Sequence, residues 1–418
     1  MLSSLTSSLW ELPGPRKFLQ KMGQDLQDGV SQVILYPPGA SLYGIKHELL
    51  RSIERDHFLD VRVIKASSRD GDGIGNLEDP FSILCQEFPE AADFGFLERV
   101  IEEYNLPDVI LVENLENCQK SVQTAWMQTL KRWIQAAQAS GSRHSLLLLL
   151  PADAAMRLIL PQPDVRLGYL VWAGIPTSLE VRLLCRMKTE GFDFEGQWRE
   201  FLLASLAAND IGLCEHLWDV ITCSKAEVIE ALNSFARKQG WSGEHLNILL
   251  RGWKPRPPGL DLRITPQETG FSLLSQGITV YTAEYGEEIN SAALAALGKV
   301  EEIEHRIWRA QAALLLPMID EVRRRICNHM TANYGDNWAE IDRQIYRPPL
   351  EWGKLKIFFE NLSRQFPEKD RWGSGIKQAC WIRNQLSHYN PIQYNTFRDF
   401  WNLSVSVRRN SFNRMGIR

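Results

Sequence analysis

Residues 108–114 read DVILVEN. Four apolar residues follow one another between two acids, with no polar residue to face water. So short a run without alternation reads as a strand buried on both faces, which is the signature of a parallel sheet. Outward from it the same pattern recurs at VSQVIL (30–35), DVRVIKA (60–66), SLLLLLP (145–151) and LGYLVWAG (167–174). Between these runs lie helix-period segments, among them IKHELLRSIERD, FGFLERVIEEYN and SVQTAWMQTLKRWIQAAQ. Strand and helix in alternation predict an α/β domain with a parallel sheet over residues 1–176.

Beyond it the period is helical. Residues 177–252 are expected to form a helical, lid-like subdomain. Residues 253–295 read as a proline-rich linker with a short irregular or β segment, a hairpin around GITVYTAEYG being the candidate. Residues 296–418 read as an all-α bundle. Its stripes Ile319, Val322 and Ile326, then Leu355, Phe358 and Phe359, then Phe397, Phe400 and Trp401 suffice for a small core. On that ground this segment is expected to fold alone.

No apolar run approaches the ~18 residues of a membrane span, and the N-terminus lacks a basic start and an apolar signal core. The seven cysteines are scattered and form no CxxC pair, which predicts free thiols in a cytoplasmic protein without membrane association. Fourteen tryptophans predict large packed or partner-facing surfaces. Charge divides the chain: residues 301–418 hold 19 basic against 13 acidic side chains, the remainder 28 against 38. A polyanionic partner therefore belongs with the C-terminal part.

Two motif-like stretches carry little. RDGDGIGNLEDP (69–80) has Ile74 and Phe81 where a calcium loop starting at Asp70 needs oxygen ligands. The triplets Cys214–His216 and Cys327–His329 lack further ligands at matching spacing.

The turn GASLYGIK (39–46) stands between a strand and a helix, where a P-loop belongs. Gly39 and Gly44 keep the spacing of GxxxxGK[ST], but Ile45 takes the lysine position and Lys46 the hydroxyl position. One residue of displacement swings the ammonium about 100° around the helix. Glu113 closes the acidic strand and is followed by Asn114, which cannot act as a base. Loop, acidic strand and trailing helices resemble the AAA+/STAND branch of P-loop ATPases over roughly residues 12–250. The resemblance implies nucleotide-domain architecture, with Gly39, Gly44, Lys46 and Glu113 as a degenerate site for a weakly bound nucleotide, and a pseudo-ATPase.

The second motif is IRNQLSHYNPI (382–392). On a helical wheel Ala379, Ile382, Leu386 and Tyr389 make a core stripe, which predicts a packed Tyr389 with RNA contact as the alternative. Arg383, Asn384, Ser387 and His388 make a contiguous polar face, and Asn384 and His388 are an i,i+4 pair able to meet. Pro391 ends the helix. RNQLSH matches the R-x4-6-H signature of HEPN domains, including the polar residue after the arginine. The surroundings match as well: a long helix pair with Pro317 as break or kink, a helix at EWGKLKIFFENL, the motif helix at about 373–389, and a last helix. The resemblance implies RNA cleavage at a site composed by two domains, needing no metal or other cofactor, with Arg383, Asn384 and His388 catalytic. A homodimer or larger oligomer would supply the second histidine. It also implies a prokaryotic conflict, antiphage or toxin system with a further protein partner. Three readings stay open: ribonuclease effector under a pseudo-ATPase, non-catalytic regulatory or scaffold subunit of an active ATPase or nuclease partner, and working ATPase with an inert tail.

Overall fold

A computed structural model describes residues 9–36, 45–67, 79–151, 158–172, 177–189, 194–257, 273–274, 276–282, 284–341, 344–345, 347–361 and 366–412. The chain divides into two compact units, and each is discontinuous. The first comprises residues 1–184, 208–212 and 241–293; the second comprises 185–207, 213–240 and 294–418.

The first unit is α/β. Strands β1 (Ser31–Tyr36), β2 (Val61–Lys65), β3 (Val109–Glu113), β4 (Ser145–Pro151) and β5 (Leu167–Val171) form one sheet in the order β2-β3-β4-β1-β5. Every pairing is parallel, for example Ile34 with Leu149 and Val112 with Leu148. Leu146 to Leu150 and Val109 to Val112 are at most 1% exposed, as expected of strands covered on both faces. The Lys120–Ser140 helix covers one face with Trp126 and Trp133, both fully buried. Each indole keeps its N–H paired, Trp126 with the Ala66 carbonyl at 2.9 Å and Trp133 with the His144 carbonyl at 3.0 Å. The candidate hairpin is present as antiparallel Thr279–Thr282 and Gly286–Ile289.

The second unit is helical. Its main elements are Phe194–Ala207, Lys225–Lys238, a long helix Val300–Tyr334, then Trp352–Asn361, the motif helix Glu368–Ser387 and a final helix Tyr394–Phe412; a short antiparallel pair, Glu340–Ile341 with Gln344–Ile345, interrupts the all-α pattern expected of 296–418. The long helix runs through Pro317 without interruption, where the sequence suggested two helices. Proline removes one amide donor, but Leu314, Leu315, Ile319 and Val322 on either side are buried on a common face and hold the helix together. The three apolar stripes expected from the sequence are buried, Trp401 only partly.

The boundaries differ from the sequence reading. Helices of the 177–252 stretch are divided between the units, and Phe194–Ala207 belongs to the helical unit's core. Trp198 stacks on Phe397 with centroids 5.1 Å apart, and Ser205 Oγ donates to the Arg306 carbonyl at 2.9 Å. A lid was read from helical period alone, and that period does not say which surface a helix will cover.

Candidate functional site

The motif helix presents a dry side and a wet side. Ala379, Ile382 and Leu386 are at most 1% exposed, while Arg383, Asn384, Ser387 and His388 all face solvent. The last helical residue is Ser387; the His388 amide still donates to the carbonyls of Asn384 and Gln385, at 3.1 and 3.0 Å. Ser387 Oγ donates back to the Arg383 carbonyl at 2.8 Å.

Arg383 and Asn384 are joined: Arg383 Nη1 donates to Asn384 Oδ1 at 3.2 Å. The amide oxygen is thereby occupied and its NH2 group remains as a donor. The pairing of Asn384 with His388 that their spacing allows is not formed; His388 already lies past the last helical residue, with φ −104°. Residues 381–392 contain no carboxylate. A guanidinium, an amide donor and an imidazole on one exposed face make a surface suited to an anion.

Tyr389 departs from the expected stripe. The helix has already ended, and the residue takes a left-handed backbone with φ 61°. Its ring is 65% exposed and meets the half-buried Trp308 of the long helix, centroids 4.5 Å apart. The Trp308 Nε1 in turn donates to the Leu386 carbonyl at 2.7 Å, which also accepts the Tyr389 amide at 3.3 Å.

The segment after the motif is held by Gln311, also on the long helix. Gln311 Nε2 donates to the Ile392 carbonyl at 2.8 Å, and the Ile392 amide donates to Gln311 Oε1 at 2.7 Å. A cavity of about 410 Å³ lies against this segment, lined in part by Trp198, Leu202, Ile307 and Ile392. The loop's position therefore rests on the glutamine clamp more than on close packing. Gln311 and Trp308 were not singled out from the sequence. The available signal was a glutamine four residues after Ile307 on an otherwise apolar stripe, a polar group that a buried face tolerates only when paired.

In the first unit, Gly39 and Gly44 lie outside the described residues. Lys46 and Glu113 are brought together at the carboxyl end of the sheet. Lys46 Nζ lies 3.5 Å from Glu113 Oε2 and donates to Asn114 Oδ1 at 3.4 Å. This is the edge where ligands of open parallel sheets bind. The Lys46 ammonium is thus engaged by a carboxylate and an amide.

The two Cys–His triplets are committed elsewhere. Cys214 lies buried beside Cys185, and His216 Nε2 meets the Ala231 carbonyl at 3.0 Å. Cys327 is buried, and His329 Nε2 bonds Glu368 at 2.9 Å. The calcium-like loop falls almost wholly outside the described residues. Among the described residues no helix is long and apolar enough to cross a membrane.

No protein-family model matches this chain, and no curated protein is similar enough to count as a relative.

Proposed function

We propose that the helical unit is a HEPN-type endoribonuclease that needs no metal, and that the α/β unit is a pseudo-ATPase which regulates it. The observation that carries this reading is the exposed face of Arg383, Asn384 and His388, in a stretch without carboxylates, at the end of a helix whose other side is buried. His388 takes the proton of a ribose 2′-hydroxyl, whose oxygen attacks the adjacent phosphorus. The 5′-oxygen departs and takes up a proton, leaving a 2′,3′-cyclic phosphate. The imidazole of a second copy of the chain delivers that proton in a two-fold dimer. Arg383 offsets the charge that grows on the phosphate oxygens, and the Asn384 NH2 group adds a neutral donor beside it.

The restraint is assigned to the α/β unit because Lys46 is already paired with Glu113 and the residue after that strand is Asn114, which has no proton-accepting carboxylate. A conflict or antiphage system with a further protein partner is the setting in which a silent ribonuclease under such a domain makes sense.

The test is RNA cleavage by the activated full chain with and without EDTA. His388→Ala should abolish cleavage and leave RNA affinity nearly unchanged, whereas Arg383→Ala should lower both. EDTA should have no effect, and removing the 2′-hydroxyl at the cut site should block the reaction. Cleavage that survives His388→Ala and Arg383→Ala together would return the face to a docking role, and with it the regulatory-subunit reading.

A further inference from the structure

The backbone at Tyr389 sits where bulky L-residues are rarely found, at a cost of about 1 kcal/mol or more. The helix end holds it there: the Tyr389 amide donates to the Leu386 carbonyl at 3.3 Å and the Asn390 amide to the Gln385 carbonyl at 3.0 Å, and the residue is left 65% exposed. Its aromatic neighbour is Trp308, which the Leu386 carbonyl holds by the indole N–H. One helical turn before Trp308, the exposed His305 lies with its ring centroid 5.3 Å from the indole. Three rings, two on the long helix and one just past the end of the motif helix, thus follow one another across the surface, tilted by 46° and 35° at the two contacts, and they begin at the residue next to His388.

We infer that Tyr389, backed by Trp308 and His305, is a stacking platform for an unpaired nucleobase beside the phosphate that His388 and Arg383 address. The inference rests on the ribonuclease reading and narrows its substrate to single-stranded RNA. A base offers a flat π-face whatever its identity, and stacking on aromatic side chains holds single strands with little sequence preference. In a duplex that face is covered by neighbouring base pairs, and an A-form groove does not bring it within reach of a surface tyrosine. The left-handed helix end carries the ring off the core stripe, where helical continuation would bury it, and leaves it exposed beside His388.

The experiment uses the full chain carrying His388→Ala, so that RNA stays intact, and short single-stranded RNAs with 2-aminopurine at successive positions. Emission should be quenched at one position, and affinity should exceed that for the same sequence as a duplex. Tyr389→Leu should restore that emission and weaken single-strand binding about tenfold, within the range of base-on-aromatic stacking. Tyr389→Phe should preserve both. Tyr389→Gly relieves the backbone, so it should keep or raise the melting temperature while losing affinity, which separates a binding role from a structural one. Unchanged quenching and affinity in Tyr389→Leu, or duplex bound as tightly as single strand, overturns the platform while His388-dependent cleavage remains. Absence of both RNA binding and His388-dependent cleavage removes the ribonuclease reading and the platform together.

Discussion

Gln311 is buried, and both ends of its amide are used on the backbone of one residue, Ile392, in the loop behind the motif. Gln311→Ala leaves the Ile392 amide and carbonyl without partners, at roughly 1–3 kcal/mol for each buried group. A loss of about 2–6 kcal/mol in urea denaturation is expected, with Gln311→Leu no better because it restores no hydrogen bond. In the other unit the relevant residues are Lys46 and Glu113. Steady-state phosphate release from ATP should be indistinguishable between wild type and Glu113→Ala; a robust rate that this substitution abolishes would mean the α/β unit turns over nucleotide. The motif residues were legible in the sequence because a helical wheel sorts wet from dry. Tyr389 was not, since the wheel assumes a helix that in fact stops two residues earlier. Nor was the Arg383–Asn384 bond, because the i,i+4 spacing points from Asn384 to His388 instead.

The long helix and the motif helix are joined at the end opposite His388. His329 Nε2 bonds Glu368 Oε1 at 2.9 Å, and the Tyr334 hydroxyl donates to Oε2 at 2.8 Å. Burial alone would raise the Glu368 carboxyl, but the bonds from His329 and Tyr334, with its own backbone amide, outweigh it and hold the group below its ordinary value of 4.5. A carboxyl lowered in the folded state stabilises above its unfolded value and loses that contribution as pH falls through the folded one. Glu368→Gln should therefore lower the urea midpoint at neutral pH, and its difference from wild type should narrow as the pH drops below about 4.5. A difference that stays constant down to the acid transition would show that the carboxylate's charge contributes nothing to the joint. At this scale the sequence was most readable. Strand runs, amphipathic stripes and the final helix each announce themselves through local period, whereas Pro317 misled because tertiary packing on both sides overrides a missing amide.

Across the whole molecule the sequence was least readable, because which helix covers which surface is set by contacts between residues far apart in the chain. The helical unit draws its core from three separated segments, with Trp198 on Phe397 and Phe194 on Tyr394 as stacked pairs. The expectation that residues 296–418 fold alone changes accordingly. That fragment would expose the apolar face that Trp198, Leu202 and Leu203 cover, and it should show no cooperative thermal transition by circular dichroism. Supplying residues 185–240 should restore one. A sharp transition in the isolated 296–418 fragment would show that its own three stripes are core enough.

The interleaving also sets a clock on synthesis. Trp198 leaves the ribosome about 200 residues before Phe397, which at ~5–20 residues per second is a delay of roughly 10–40 s. During that interval the Phe194–Ala207 helix carries an apolar face whose final partner does not yet exist. Completion of the site is thus a late event in synthesis, and slowing elongation between residues 240 and 390 should increase the nascent chain's dependence on chaperones.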